Sequence, residues 1–470
     1  MGNLELFIPE ATILAGALLV FAISAMGGSQ RTGWVASVVM AAAGVALSIV
    51  YLYADGEPFF EGIYKVDAFS QLLKVGITTG LLLTVLVSGQ AESFRARTRT
   101  DMPMFLFFAA TGMMMLVSAT ELLTLYVALE LSAYGLYILA VLHTSQREGA
   151  EAGAKYVLFG AASSAMTLYG ISLIYGAAAT TYLSEIALLP VTPLMVVGVL
   201  LALAGVFFKL AVFPFHAWAP DVYEASPHQA ATFIGTASKV AAIGIIIRLM
   251  FVVGQGHAAL TNAFLILCVA SMTVGNLAAI VQRDLKRLLA YSTVAHAGYI
   301  MIGLACFSSA GVASAIFYGL LYVPVVFCAF LVVCVLGSDG RNPSWASLAG
   351  LYRRSPLLAF TLLVGMFGLA GIPPTAGFAG KWFLFSAAMD RDLFWLVLVG
   401  ALNATVSLYY YLLVIKEAYL TPPVDESPIA VSFATSVAAW LAIALVLFVG
   451  FYPGPLWVLA ESAARAVTGG

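Results

Sequence analysis

Apolar residues run along this chain in blocks of about 20, separated by short stretches that carry most of the charge. A helix needs about 20 residues to cross the hydrocarbon layer of a bilayer. Read this way, the pattern gives fourteen spans starting near residues 4, 33, 66, 103, 121, 153, 193, 229, 258, 287, 311, 356, 392 and 430. The spans near 103 and 121 are almost continuous, so their division is the least marked. The links are short, which leaves no room for an inserted soluble domain. The first block follows the acidic Met1-Gly2-Asn3-Leu4-Glu5 and reads as a transmembrane helix, not a signal peptide. The pattern predicts an all-α polytopic membrane protein.

Composition agrees: 62% of the 470 residues are hydrophobic and 9% charged, against roughly 25% charged in soluble proteins. A net charge of −2 offers no basic patch to neutralise phosphates, which argues against nucleic acid. Cys268, Cys306, Cys328 and Cys334 sit inside apolar runs with no C-x-x-C pair. They read as small core hydrophobes, not cluster or metal ligands. No Gly-rich dinucleotide fingerprint appears on a strand–helix unit.

Basic residues orient the spans. With the N-terminus outside, the cytoplasmic side receives Arg31, Arg95, Arg97, Arg99, Arg147, Lys155, Arg283, Lys286, Arg287, Arg341, Arg353, Arg354 and Lys416. The opposite side receives Lys65, Arg391, Arg465 and Arg248. Both termini are then expected in the periplasm.

An internal repeat is also legible. Phe208-Lys209-Leu210-Ala211-Val212-Phe213-Pro214-Phe215 aligns with Phe367-Gly368-Leu369-Ala370-Gly371-Ile372-Pro373-Pro374 at an offset of 159. The copies fall in the seventh and twelfth spans, an odd number apart, so they should run in opposite directions. Inverted repeats with interrupted helices mark transport pathways. The expected division is 1–102 for flanking helices, 103–255 and 256–420 for two inverted five-helix repeats, and 421–470 for a C-terminal transmembrane helix.

Charges inside the spans carry the chemistry. Glu130, Lys209, Lys239 and Lys381 fall within apolar runs, and each such charge costs about 2.5–3.5 kcal/mol near the bilayer centre. A structural salt bridge accounts for Glu130 and one lysine, not for three lysines. Burial disfavours the charged form of either group, so a carboxylate moving near a buried lysine can make it take up or release a proton. Pro214 should free the carbonyl of Leu210, and Pro373 and Pro374 those of Leu369 and Ala370. Unpaired backbone at that depth needs protein or water beside it. His216 is a candidate relay or a helix cap. His228 is a candidate gate on the cytoplasmic side, and His296 with Tyr299 candidate members of a central chain. Lys74, seven residues after Asp67, is expected to snorkel to the periplasmic surface. Glu121 is expected at the interface, and Glu10 has no assignment.

These segments have a family look. Leu129-Glu130-Leu131-Ser132, F-F-K-L-A-V-F-P-F-H-A-W-A-P-D-V-Y-E at 207–224, Ser238-Lys239, Q-R-D-L-K-R-L-L-A-Y-S-T-V-A-H-A-G-Y at 282–299 and G-I-P-P-T-A-G-F-A-G-K at 371–381 resemble the antiporter-like subunits of NADH–quinone oxidoreductase, respiratory complex I. The resemblance spans essentially the whole chain. Within that group Lys381 and P-D-V-Y-E look like the subunit N branch, although many relatives have Thr-Pro where this chain has Ser226-Pro227. The resemblance implies that Glu130 and Lys209 form a coupling pair, Lys239 a central relay, and Lys381 the site of the second half-channel. It also implies partners: other membrane-arm subunits in a bacterial inner membrane, with flavin, iron–sulfur clusters and quinone chemistry on those partners. The alternatives are a subunit of a multi-subunit cation/proton antiporter, or a scaffold whose charges only hold helices together.

Overall fold

The computed structural model describes the chain except residues 1–3, 55, 57, 90–95, 143–146, 253–256, 424 and 469–470, and except the side chains of 4, 96–100, 147 and 148. Arg95 and the side chains of Arg97, Arg99 and Arg147, counted above for orientation, lie outside the described residues. Among the described residues all regular structure is helical, apart from isolated bridges such as Phe59 with Tyr64 and Glu121 with Tyr182.

Among the described residues, thirteen helices are long and apolar enough to cross a membrane: Glu5–Ala25, Gln30–Val50, Ala68–Ser88, Asp101–Ser118, Leu122–Val141, Gly149–Ala178, Pro193–Leu210, His228–Met250, Ala258–Ile280, Leu285–Ala305, Ser309–Leu336, Phe394–Leu420 and Phe433–Phe451. The twelfth span in chain order is a helix in two pieces, Pro356–Ala370 and Ala376–Met389. The fourteen expected spans are therefore all present, with starts displaced by a few residues. Helix starts follow side-chain caps that take orphan N–H groups: Ser29 accepts from Thr32, Asp67 from Ser70, Asp284 from Arg287 and Ser432 from Thr435. Glu121, expected at the interface, is buried and caps the fifth span through Leu123 and Thr124.

Spans eight, ten and eleven are buried almost throughout and form the centre, while spans one, two, thirteen and fourteen wrap the outside. Glycines let the backbones approach, as membrane helices require where no hydrophobic drive exists between them. A Cβ on Gly80 of span three would stand 3.0 Å from the Cβ of Ala237 in span eight. One on Gly275 would stand 2.5 Å from the amide of Ala295, joining spans nine and ten. After Pro453 a further helix, Gly454–Thr468, packs on spans three and eleven. It stacks Trp457 on Phe383 at 3.9 Å, an element the apolar pattern did not foreshadow.

Two interruptions organise the interior. The seventh span stops at Leu210, and Ala211 turns left-handed at φ 64°. Amide N–H groups of Ala211 and Val212 bond back to the carbonyls of Phe208 and Phe207 at 3.0 and 2.9 Å. In the twelfth span Gly371 turns left-handed at φ 81°, and Gly371 and Ile372 bond back to Gly368 and Phe367 at 3.2 and 3.0 Å. Both ends are Schellman motifs, which use the fourth- and third-from-last carbonyls of the helix and leave the last two open. The corresponding residues lie 160 apart, so the expected offset of 159 is corrected by one. The expected position of Pro214 is corrected too: it lies in the turn after the helix and not within it, because the left-handed Ala211 has already ended the seventh span.

Candidate functional site

Lysine ammonium groups fill the open carbonyls at both interruptions. Lys239, on the eighth span, donates to the carbonyl of Lys209 at 2.8 Å. Lys381 donates to the carbonyls of Leu369 and Ala370 at 3.2 and 2.9 Å. Cations are favoured at helix C-termini, where the dipole is negative and carbonyls lack partners. At the first interruption the acceptor is Lys209, one residue before the expected Leu210, because the motif closes before Pro214 is reached. Each ammonium also faces an aromatic ring: Lys239 lies 5.4 Å from the Trp218 centroid and Lys381 4.7 Å from that of Tyr299. Trp218 is fixed by its own indole N–H to the Phe208 carbonyl at 3.0 Å.

Glu130 and Lys209 do not touch. The Ser164 hydroxyl donates to Glu130 Oε1 at 2.6 Å, and Lys209 Nζ donates to Ser132 Oγ at 2.7 Å. Both charges line one small cavity of about 20 Å³, room for a single water. Glu130 is half-buried and borders an exposed apolar face carrying Val127, Leu131 and Tyr134, whereas Lys209, Lys239 and Lys381 are buried.

His296 lies at the centre of a second group. Its Nδ1 meets the Tyr318 hydroxyl at 2.7 Å and its Nε2 the Tyr411 hydroxyl at 3.1 Å, and Tyr411 meets Ser292 Oγ at 2.5 Å. Tyr299 packs edge-on to the imidazole at 5.8 Å and so joins His296 to Lys381. No direct hydrogen bond among the described residues links Lys239 to His296.

The other predicted residues are set apart. His216 is half-buried in the turn beside Phe213. Pro214, Pro373 and Pro374 lie in the two turns, with cis bonds at Phe213–Pro214 and Pro373–Pro374. His228 lines a cavity of about 450 Å³ with Lys155, Asp221, Glu224 and Arg341. Lys155 and Arg287 pair with Asp221 at 2.7 and 2.9 Å. Lys286, counted above as a loop residue, is buried and donates to the carbonyls of Glu224 and Ser226 and to Asn342.

Lys74 is a correction. Instead of snorkelling it is fully buried and paired with Glu10 at 2.6 Å, and the Tyr64 hydroxyl donates to the same carboxylate. Arg248, assigned to the periplasmic surface, is buried against Asp67 at 3.2 Å and donates to the Val117 carbonyl. Sequence reasoning had also missed Ser132, Ser164, Tyr318 and Tyr411. Their signal is a hydroxyl deep in an apolar span, which must find a partner there.

The NADH:quinone oxidoreductase/Mrp antiporter transmembrane family matches this chain over residues 119–407, a stretch holding Glu130, Lys209, Lys239 and Lys381. The chain is 45% identical over 468 residues to NADH-quinone oxidoreductase subunit N 2 of Syntrophobacter fumaroxidans, covering 98% of this chain and 99% of that one. It is similar to a chain of respiratory complex I from Thermus thermophilus at 33% identity and a TM-score of 0.84, covering 96% and 99% of the two chains. A chain of the Mrp complex from Dietzia sp. DQ12-45-1b shares the fold at a TM-score of 0.89 and 20% identity, over 98% of each chain, a likeness of fold alone. Family match, relatives and fold agree: the chain belongs to the NADH:quinone oxidoreductase/Mrp antiporter family of membrane proteins.

Proposed function

We propose that this chain is a proton-translocating membrane-arm subunit of an NADH–quinone oxidoreductase, of the subunit N kind, and that Glu130, Lys209, Lys239 and Lys381 carry the protons. The observation that carries the reading is the seating of two buried ammonium groups on the open carbonyls of two interrupted helices. The carbonyls favour the charged ammonium and burial opposes it. A small change in either therefore decides whether the proton stays. Glu130 sets that balance at Lys209 across their shared cavity. Its displacement towards the neighbouring subunit withdraws the compensating charge, and the proton passes to the centre.

Lys239 receives it beside Trp218, and His296, with Tyr318, Tyr411 and Tyr299, connects the centre with Lys381. His228 and the polar cavity around Asp221 and Glu224 form the access from the cytoplasm, and His216 stands at the first turn. The two interruptions belong to inverted repeats covering 103–255 and 256–420. The flanking segments are 1–102 and 421–470, both termini face the periplasm, and the membrane is the bacterial inner membrane. Partner subunits hold the flavin, the iron–sulfur clusters and the quinone site, and supply the redox energy. Moving one charge against 100 mV costs about 2.3 kcal/mol, within the range of one or two charge-assisted hydrogen bonds at about 1.5–3 kcal/mol each.

The test is the activity of the purified native assembly. A flavin-containing complex that oxidises NADH, reduces quinone and acidifies one side of the membrane supports the reading. A flavin-free complex that exchanges sodium for protons without NADH contradicts it.

A further inference from the structure

One buried lysine takes no part in the path described so far. Lys286, the second residue of span ten, is 1% exposed. Its ammonium donates to the carbonyls of Glu224 and Ser226 at 2.8 and 2.7 Å and to Asn342 Oδ1 at 3.1 Å. The three protons of a lysine ammonium are thereby all used, and every acceptor is neutral. No ion pair among the described residues reaches it, and the neighbouring carboxylates are engaged elsewhere: Asp221 with Lys155 and Arg287, Glu224 with Arg287. The proton of Lys286 is held by hydrogen bonds and not by a counter-charge.

The seat repeats the device found at the two interruptions. Glu224 belongs to the last turn of the short helix Ala219–Ala225, and Ser226 follows directly after it. Lys286 therefore rests on carbonyls at a helix C-terminus, as Lys239 and Lys381 do. The site is also built to let a proton go. A free amine keeps two donors for three acceptors, and the Glu224 carbonyl has a second donor in Asn342 Nδ2 at 2.9 Å. Loss of the proton strands no carbonyl at Glu224, and the lone pair of the amine is ready to accept the next one.

Position joins this ammonium to both sides. Its three acceptor residues, Glu224, Ser226 and Asn342, all line the cavity of about 450 Å³ that serves as the cytoplasmic access. In the inward direction, Thr293 follows Lys286 by seven residues, two turns along the same face of span ten. Thr293 accepts from the Tyr322 hydroxyl at 3.0 Å, and the Tyr322 ring packs on His296 at 5.2 Å. Two buried hydroxyls of the short helix and its cap, those of Tyr223 and Ser226, have no hydrogen-bond partner among the described residues, which leaves both able to pass a proton. We propose that Lys286 is a further proton-carrying ammonium, loaded from the cytoplasmic cavity and emptied towards His296. The inference rests on the proton-translocating reading above. One N–H bond breaks as the proton moves inward and one forms as the amine takes its replacement from the cavity, so no redox partner is needed.

NADH-driven proton pumping by proteoliposomes holding the whole purified complex tests the proposal in Lys286→Arg. Arginine keeps the charge and the donors but cannot give up its proton. A positioned proton-transfer group contributes about a hundredfold or more to its step, so pumping is expected to fall below about a tenth of wild type in an assembled complex. Lys416→Arg, the same exchange at an exposed lysine, should change nothing. A Lys286→Arg complex that pumps like wild type would reduce the residue to a latch and overturn the proposal. Where arginine prevents assembly, Lys286→Cys decides. An aminoethyl thiol reagent restores an amine that can release a proton there, whereas a trimethylammonium reagent supplies a fixed charge. Pumping regained with the first alone supports the proposal; pumping regained with the fixed charge, or with neither in a fully labelled complex, overturns it. Lys239→Ala in the same preparation separates the two readings. If it pumps normally the proton-translocating reading fails, and if it stops pumping while Lys286→Arg does not, only the role of Lys286 falls.

Discussion

Exchanging Lys74 for methionine removes one member of an ion pair that water does not reach. The ammonium lies 2.6 Å from Glu10, and neither side chain has any exposed surface. The Tyr64 hydroxyl already occupies Glu10 Oε1, and Oε2 has no hydrogen-bond partner. In Lys74→Met the carboxylate is therefore left buried with a single hydroxyl to hold it. Breaking a buried pair from one side costs about 3–5 kcal/mol, whereas replacing both members by apolar groups is often neutral or stabilising. Glu10→Leu should cost a similar amount, and the double variant Glu10→Leu/Lys74→Met should recover most of either loss. The assay is a double-mutant cycle on the purified protein, unfolded reversibly by denaturing detergent in mixed micelles. The expected coupling is about 3 kcal/mol, roughly a hundredfold in the unfolding equilibrium. Single variants that each lose less than about 1 kcal/mol, with additive effects in the double, would show that the pair is not the buried clamp described here.

Other perturbations have equally definite outcomes. Lys209→Arg keeps a donor for Ser132 but cannot release its proton. Pumping by the assembled complex should fall below about a tenth of wild type, as read by a pH-sensitive dye in proteoliposomes, and normal pumping would rule out proton exchange at Lys209. Tyr411→Phe removes the hydroxyl shared by His296 and Ser292. It should cost about 1 kcal/mol of stability in thermal unfolding and slow pumping without loss of assembly. Ala211→Gly relieves a left-handed alanine at φ 64°, which costs about 1–2 kcal/mol. The variant should unfold at higher detergent concentration than wild type, and one that unfolds earlier would contradict the strain.

Much of this architecture was legible because lipid leaves a helix few alternatives. Fourteen apolar runs became fourteen spans, and Lys381 was found on the two carboxyl-terminal carbonyls, Leu369 and Ala370, that its neighbouring prolines had marked. Where the reading slipped, the cause was three-dimensional. The two interruptions lie 160 residues apart and not 159, because the Leu-Ala pairs suggest one register whereas the left-handed φ values match Ala211 with Gly371. Proline was given the role that the left-handed residue three before it performs at Pro214. Lys74 looked able to snorkel because it lies near a helix start. Its partner, Glu10, is 64 residues away, and no local pattern could join them. The same holds for Asp67 with Arg248, and for the serine hydroxyls that stand beside Glu130 and Lys209.

The central claim is that a proton passes through the buried ammonium of Lys239, and the most direct measurement is proton pumping by proteoliposomes holding the whole purified complex, wild type against Lys239→Ala, with NADH-driven quinone reduction recorded in the same samples. Loss of pumping in a complex that remains assembled is the predicted result. Unchanged assembly together with unchanged pumping would contradict it, and would leave the lysine chain as scaffolding.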